Sequence, residues 1–339
     1  MRPRGFCGAP RDRQITASAS TSLGRASHVW LDSRSRGAMP RRGFVEGPSG
    51  VSSNWRGQLS HIALRSREVA SCVTFYSDAL GLTGTRSDAA DHVRLGWGAG
   101  QWALELHDGE VGLDHFAIEV PDPGELEELI DRMRNAGVVV EHLAAHGGHP
   151  ESFVLFDPDG RRVEWHGRVD RVAEHAADPG RRPVRLQHIT LATTAMRELV
   201  DFYVDVLGFR VSDRMGETFT WLRCGAEHHT VALVESDSPR KLDHFSFDLD
   251  SWVDFKVWCD RLSAMGLQVV WGPGRHGPGN NLFIMFDDPS GYHIELSSEM
   301  EQYHDDLAQY TPRVWLPAER TVNLWGGVPD WRRPQFEDD

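Results

Sequence analysis

The chain has 339 residues, 40% of them apolar, and a formal net charge of −14. That length allows two or three domains with a core in each, and the acidic balance opposes binding to nucleic-acid phosphates. No run reaches the roughly eighteen apolar residues of a membrane span, and Cys7, Cys72, Cys224 and Cys259 lack the spacing of a zinc ribbon or disulfide framework.

Scattered cysteines fit a reducing cytosol, and no charged-then-apolar leader resembles a secretory signal. Cytoplasmic small-molecule chemistry is the expectation, with no nucleic acid and no membrane as partner.

Residues 1–54 stand apart. They carry nine arginines among the first fifty positions against Asp12, Asp32 and Glu46, are rich in serine and glycine, and show no apolar periodicity. Such a segment buries too little surface to offset its chain entropy, so it is expected to be disordered. Its composition is also that of an organelle transit peptide, and Met39 offers a later start of translation.

From residue 57 the chain repeats itself once. Leu59-Ser60-His61-Ile62-Ala63-Leu64, followed by Phe75-Tyr76-Ser77-Asp78-Ala79-Leu80-Gly81, matches His188-Ile189-Thr190-Leu191 followed by Phe202-Tyr203-Val204-Asp205-Val206-Leu207-Gly208. Leu113-Asp114-His115-Phe116 matches Leu242-Asp243-His244-Phe245, and Asp157-Pro158-Asp159-Gly160 leading to Glu164 matches Asp288-Pro289-Ser290-Gly291 leading to Glu295. Three anchors in register, at offsets of 127, 129 and 131, exclude chance similarity.

Each copy reads strand, helix, strands, helix, strands. The first helix runs from about Val69 or Met196 to the leucine before a C-capping glycine. A second is visible as Leu126, Leu129, Ile130 and Met133 in one copy and as Phe255, Trp258, Cys259 and Leu262 in the other. The Asp-Pro-x-Gly sequences are turns. A charged stretch from about Val169 to Val184 reads as a linker.

His188, His244 and Glu295 each lie in an alternating apolar run, so each projects from a strand onto one face of a sheet. A lone strand histidine is most often a core residue, but recurrence in register sets these apart. Two neutral imidazoles and one carboxylate on a common face are the ligand set of a mononuclear non-heme Fe(II) site with open positions opposite.

A histidine in the first strand, the FYxDxLG helix end, a second histidine about fifty-five residues on and a glutamate after a DPxG turn resemble the βαβββ modules of the vicinal oxygen chelate superfamily. Two copies with a full ligand set in the second resemble its type I extradiol ring-cleavage dioxygenases, of the catechol 2,3-dioxygenase and 2,3-dihydroxybiphenyl dioxygenase kind. The resemblance covers about residues 57–300. It implies an α+β fold of tandem βαβββ modules, with a non-catalytic first module at 57–168, a catalytic one at 185–300 and a tail at 301–339 packed over the domains. It further implies Fe(II), or Mn(II) in some members, on His188, His244 and Glu295. A catechol-type diol and O2 are the implied partners, and a homo-oligomer the implied assembly.

By the same resemblance His229 is the active-site acid/base, a role suited to an imidazole, and His276, in the glycine-rich stretch 272–279, contacts substrate from a mobile loop. Two positions depart from the pattern. Met285 stands where many members carry a hydrogen-bonding tyrosine, and a thioether cannot donate that bond. Either another group such as Tyr292 or Asn281 takes it over, or the substrate and even the reaction differ from ring cleavage of a simple catechol. Trp271 stands where some carboxylate-accepting members have arginine, so an aromatic wall is expected there.

The first copy keeps His61, His115 and Glu164, but has Gly98-Ala99-Gly100 in place of the His228-His229 pair, and only His146 and His149 loosely compare with His276. It is read as a structural or vestigial module, with a second metal there left open. Trp315, Trp325 and Trp331 in the tail are expected to pack over a domain surface or a subunit neighbour, with closure of the substrate pocket as the weaker alternative. Two other readings stay open. One is a glyoxalase-type metal-dependent isomerase or lyase, which would draw ligands from both modules and need His61 or Glu164. The other is a non-catalytic protein that binds an aromatic ligand.

Overall fold

The computed structural model describes residues 56–86, 92–98, 101–145, 150–169, 182–237, 242–303 and 310–332. The segment 1–54, His146 and His149, the Ala99-Gly100 pair and most of the linker lie outside them. Among the described residues no helix is long and apolar enough to cross a membrane.

The first copy forms β1 (Gln58–Ser66), α1 (Val69–Leu80), β2 (Thr83–Arg86), β3 (His92–Gly98) and β4 (Gln101–Asp108), then β5 (Gly112–Glu119), α2 (Pro123–Asn135), β6 (Glu141–Leu143), β7 (Ser152–Phe156) and β8 (Arg162–His166). The second copy repeats this order as β9 (Arg185–Thr193), α3 (Met196–Asp201), β10 (Arg210–Met215), β11 (Phe219–Arg223) and β12 (Val231–Glu235), then β13 (His244–Asp248), α4 (Trp252–Ala264), β14 (Trp271–Arg275), β15 (Leu282–Asp287) and β16 (His293–Ser298). Each copy is thus itself a pair of βαβββ units. That inner repeat rests on strand pattern and leaves little sequence identity to detect.

Local chemistry explains the boundaries. Gly81 ends α1 in the left-handed conformation, at φ 66°, which glycine adopts without a Cβ penalty. Pro123 starts α2 behind Asp122, whose carboxylate accepts from the Glu125 amide at 3.1 Å. Leu126, Leu129, Ile130 and Met133 form its buried stripe. A capping box of Ser251 and Asp254 starts α4. In the second copy the expected helix from Met196 turns into a π-helical stretch at Phe202–Val206, a widening of which the apolar spacing gives no sign.

Both sheets have the same order. The first runs β2-β3-β4-β1-β5-β8-β7-β6, and the second runs β14-β15-β16-β13-β9-β12-β11-β10 with one more strand, β17 (Arg313–Trp315), at its edge. The outer faces and the helices share one apolar core that spans both copies. The motifs that reveal the repeat also join its halves. Tyr76 of the first FYxDxLG sequence donates to Asp288 of the second DPxG turn at 2.8 Å. Tyr203 lies reciprocally beside Asp157, and burial together with that carboxylate drives its hydroxyl pKa well up.

The inner face of the second sheet carries a smaller apolar cluster that includes Phe219, Trp221, Trp271, Phe283 and Met285. Val322 of a short tail helix, α5 (Glu319–Val322), and Val328 close over it.

Candidate metal centre

Three adjacent strands build the centre. His188 on β9 pairs with Ser246 on β13, which pairs with Glu295 on β16. His244 lies two residues before Ser246 and so points to the same face. The ligand atoms of His188, His244 and Glu295 lie within 4.8 Å of one another, and all three residues are buried. His188 Nε2 is 3.7 Å from Glu295 Oε1, and His244 Nε2 is 3.5 Å from Oε2.

The far nitrogen of each imidazole is held. His188 Nδ1 donates to Gln187 Oε1 at 3.2 Å, and the Gln187 amide donates to Asp248 at 2.9 Å. The β9–β13 register slips at Gln187, a bulge that re-aims a side chain at a site. His244 Nδ1 donates to Asp243 at 2.6 Å, and Asp243 also accepts from Arg332 of the tail. These acceptors leave each Nε2 as a lone pair directed at the centre.

Burial drives His188 down to about 3, so it is neutral at pH 7. Burial would raise Glu295, but His188, His276 and His244 more than offset it and hold it at about 2. Glu295 Oε2 is buried with no hydrogen-bond partner among the described residues, which is costly for a carboxylate oxygen. A divalent cation satisfies that oxygen and both lone pairs, so the residues fit a metal.

Above the centre lies a cavity of about 450 Å³, counting the open space at its mouth. Phe219 and Trp221, stacked at 4.2 Å, form one wall. Trp271 and Met285 form another, and Pro278, Val322 and Arg332 border the rest. His229 reaches the cavity with its ring 4.3 Å from that of His188. Its Nδ1 lies 3.0 Å from His228 Nδ1, and His228 Nε2 lies 3.0 Å from Asp213. Burial, with the neighbouring histidines, holds His229 well below its ordinary pKa. His276 stacks on Phe283 at 3.9 Å, donates from Nδ1 to the Val322 carbonyl and brings Nε2 to 3.8 Å from Glu295.

Of the sequence-predicted residues, His188, His244, Glu295, His229, His276, Trp271 and Met285 meet at this cavity. Asn281 and Tyr292 do not border it, which corrects the expectation that either replaces the missing tyrosine. Asn281 sits behind the carboxylate and donates to Glu295 Oε1 at 3.3 Å and to Ser297 at 2.8 Å. Tyr292 points the other way, donating to the Arg65 carbonyl at 2.8 Å and accepting from the Gly112 amide at 2.6 Å across the copies. The stretch 272–279 is packed rather than a free loop. A Cβ on Gly277 would lie 2.6 Å from the Thr321 carbonyl, and one on Gly274 would lie 2.6 Å from the Phe283 ring. Its glycines are there for close approach.

Sequence reasoning missed Thr190, whose hydroxyl is 3.1 Å from His244 Nε2, although its place two residues after His188 puts it on the same face. It also missed Trp221, Val322, Arg332 and the Asp213 partner of His228. The tail does more than cover a surface. No ligand group among the described residues mixes the two copies, contrary to what the isomerase reading would require.

The sequence model of the Glyoxalase/Bleomycin resistance protein/Dioxygenase superfamily matches residues 58–165 and 185–296. Metapyrocatechase 2 of Cupriavidus necator is 34% identical over 298 residues, covering 80% of this chain and 90% of that protein. Biphenyl-2,3-diol 1,2-dioxygenase of Paraburkholderia xenovorans (strain LB400) is 29% identical over 291 residues, covering 79% and 94%. The crystal structure of the Mn(II)-bound glyoxalase from Novosphingobium aromaticivorans aligns at a TM-score of 0.72 and 29% identity, covering 83% of this chain and 94% of that one.

Proposed function

Because the chain belongs to the Glyoxalase/Bleomycin resistance protein/Dioxygenase superfamily, we propose that it is an extradiol dioxygenase that opens the ring of a catechol-type diol with O2, using Fe(II) on His188, His244 and Glu295. The observation that carries this reading is the convergence of two imidazoles and one carboxylate on the floor of an aromatic-walled cavity. Fe(II) held by these residues would bind diol and O2 together and pass electrons between them.

The rest falls to the protein. Phe219, Trp221 and Trp271 bind and orient the flat ring and exclude water. Met285 contributes contact without a hydrogen bond, so the substrate oxygens are served from the histidine side. His229 Nε2, the nitrogen not engaged by His228, takes the proton that leaves the diol, and Nδ1 is oriented through His228 and Asp213. His276 Nε2 contacts substrate beside Glu295. Gln187, Asp243 and Asn281 hold the three ligands in place.

The test is anaerobic reconstitution of the apo chain with Fe(II) or with Mn(II), followed by O2 uptake and product absorbance on a panel of catechols. Uptake matched by a yellow ring-fission product, lost in His244→Ala, is the expected result. Tightly bound metal without O2 consumption on any diol would overturn the proposal.

A further inference from the structure

The first sheet holds a second convergence of ligand atoms. His61 on β1, Glu105 on β4 and His115 on β5 bring one atom each within 4.8 Å of one another, all three buried. Glu164 on β8 lies 3.7 Å from His115 Nε2. These strands are neighbours in the order β4-β1-β5-β8. In register, Glu105 and His115 both pair with Ala63, and Ala117 pairs with both His61 and Glu164, so all four side chains share one face.

The arrangement repeats that of the second sheet. The rings of His61 and His115 are 5.3 Å apart at 87°, and those of His188 and His244 are 5.6 Å apart at 85°. Asp114 accepts from His115 Nδ1 at 2.9 Å as Asp243 accepts from His244, which leaves His115 Nε2 directed at His61 Nε2, 3.2 Å away. Two ligand positions differ: Glu164, the counterpart of Glu295, lies outside the group of atoms within 4.8 Å of one another, and the position on β4 is changed. Glu105 pairs with Ala63 where Ala232 pairs with Thr190, so the first sheet has a fourth ligand where the second has a methyl group.

We propose that the first sheet binds a divalent cation through His61, Glu105, His115 and Glu164, as a closed structural site distinct from the three-ligand centre. Four protein ligands fill a tetrahedral shell and leave no position for substrate, the mark of a structural metal. Two carboxylates balance the charge of a divalent ion, and Arg94 and Arg162 each lie 3.6 Å from one of them. Glu105 is positioned in advance, since its carboxylate also meets His92 Nε2 at 3.0 Å, His107 Nε2 at 3.5 Å and Arg94 Nε at 3.6 Å. The cation ties four adjacent strands together, and its presence does not depend on what reaction the other centre performs.

The experiment counts Zn(II) per chain after reconstitution of chelator-stripped protein, and follows melting with and without Zn(II). We expect two ions in the wild type and one in His244→Ala/Glu295→Ala, whose melting temperature still rises on adding Zn(II). We expect one in His61→Ala and in the isosteric Glu164→Gln, and two in His92→Ala. One ion in the wild type with none in His244→Ala/Glu295→Ala would overturn the proposal. Retention of both ions in His61→Ala and Glu164→Gln, with loss of one in His92→Ala, would overturn it in favour of His92, Glu105 and His107.

Discussion

Arg332→Met tests whether the tail belongs to the metal centre. The Arg332 side chain is 4% exposed, donates to Asp243 and lies 4.7 Å above the Trp331 ring. Its removal leaves Asp243, 16% exposed, with His244 Nδ1–H as its side-chain donor among the described residues. Breaking a buried pair costs about 3–5 kcal/mol. Arg332 Nε and Nη1 have no hydrogen-bond partner among the described residues, so an apolar replacement of similar length regains part of that, and a net loss of about 2–3 kcal/mol follows. Some of the loss reaches the ligand, because Asp243 orients His244. Outer groups of this kind are worth about 10–100-fold in metal affinity, or ~1.4–2.8 kcal/mol. Anaerobic Fe(II) titration of the apo variant reads that part, and thermal melting of the metal-free protein reads the remainder. At saturating Fe(II) the turnover should recover to within severalfold of wild type. Wild-type affinity together with wild-type melting would refute the reasoning.

Four more outcomes follow from the geometry. His229→Gln should lower kcat by ~10²–10⁴-fold with metal content unchanged; lost metal would make it a ligand instead. Ala232→Glu, which copies Glu105 into the second sheet, should keep or tighten metal binding and abolish O2 uptake, and undiminished turnover would show that the methyl position is not what keeps that centre open. Tyr76→Phe should cost about 1–2 kcal/mol in denaturant melts by removing a donor from buried Asp288, with turnover unaffected. Asp213 is the acid-sensitive anchor of β17. Burial would raise it from 3.8, but His228, Arg313 and Trp315 outweigh that and lower it, so its contribution is complete above about pH 3.8 and is lost as pH falls through the lower folded value. Hydrogen exchange of the Arg313–Trp315 amides should rise in that acid range, and Asp213→Asn should raise it already at neutral pH.

Much of the fold was legible because strands and helices impose periods on the apolar residues. The repeat anchors fell on His61, His115, Glu164 and their partners because a ligand must recur at one place on one strand. Met285 and Trp271 could be placed by their positions in the family pattern. Tyr292 and Asn281 were misassigned since an offset along the chain does not say which face a residue takes. Tyr292 falls out of phase with His293 and Glu295 and crosses to the other copy, while Asn281 reaches Glu295 from behind. Arg332 and Val322 had no signal at all. They lie in a tail without periodicity, and only the folded chain carries them to the cavity.

Four positions on paired strands distinguish the inner faces of the two sheets. Phe219, Trp221, Ala232 and Val234 line β11 and β12, and in the same register of the first sheet stand His92, Arg94, Glu105 and His107. An apolar wall leaves room for a ring and keeps water from the metal, so a histidine and carboxylate triad beside it stays open to substrate. A polar wall does the reverse. Arg94 covers the Trp102 face at 4.1 Å and meets Glu105, and the space that would receive a ring is filled by ion pairs. Matching sheet orders therefore need not give matching sites. On the proposals made above, what separates the open centre from the closed one is the row of side chains one or two strands away, and exchanging the four positions should move the aromatic cavity without moving either pair of histidines.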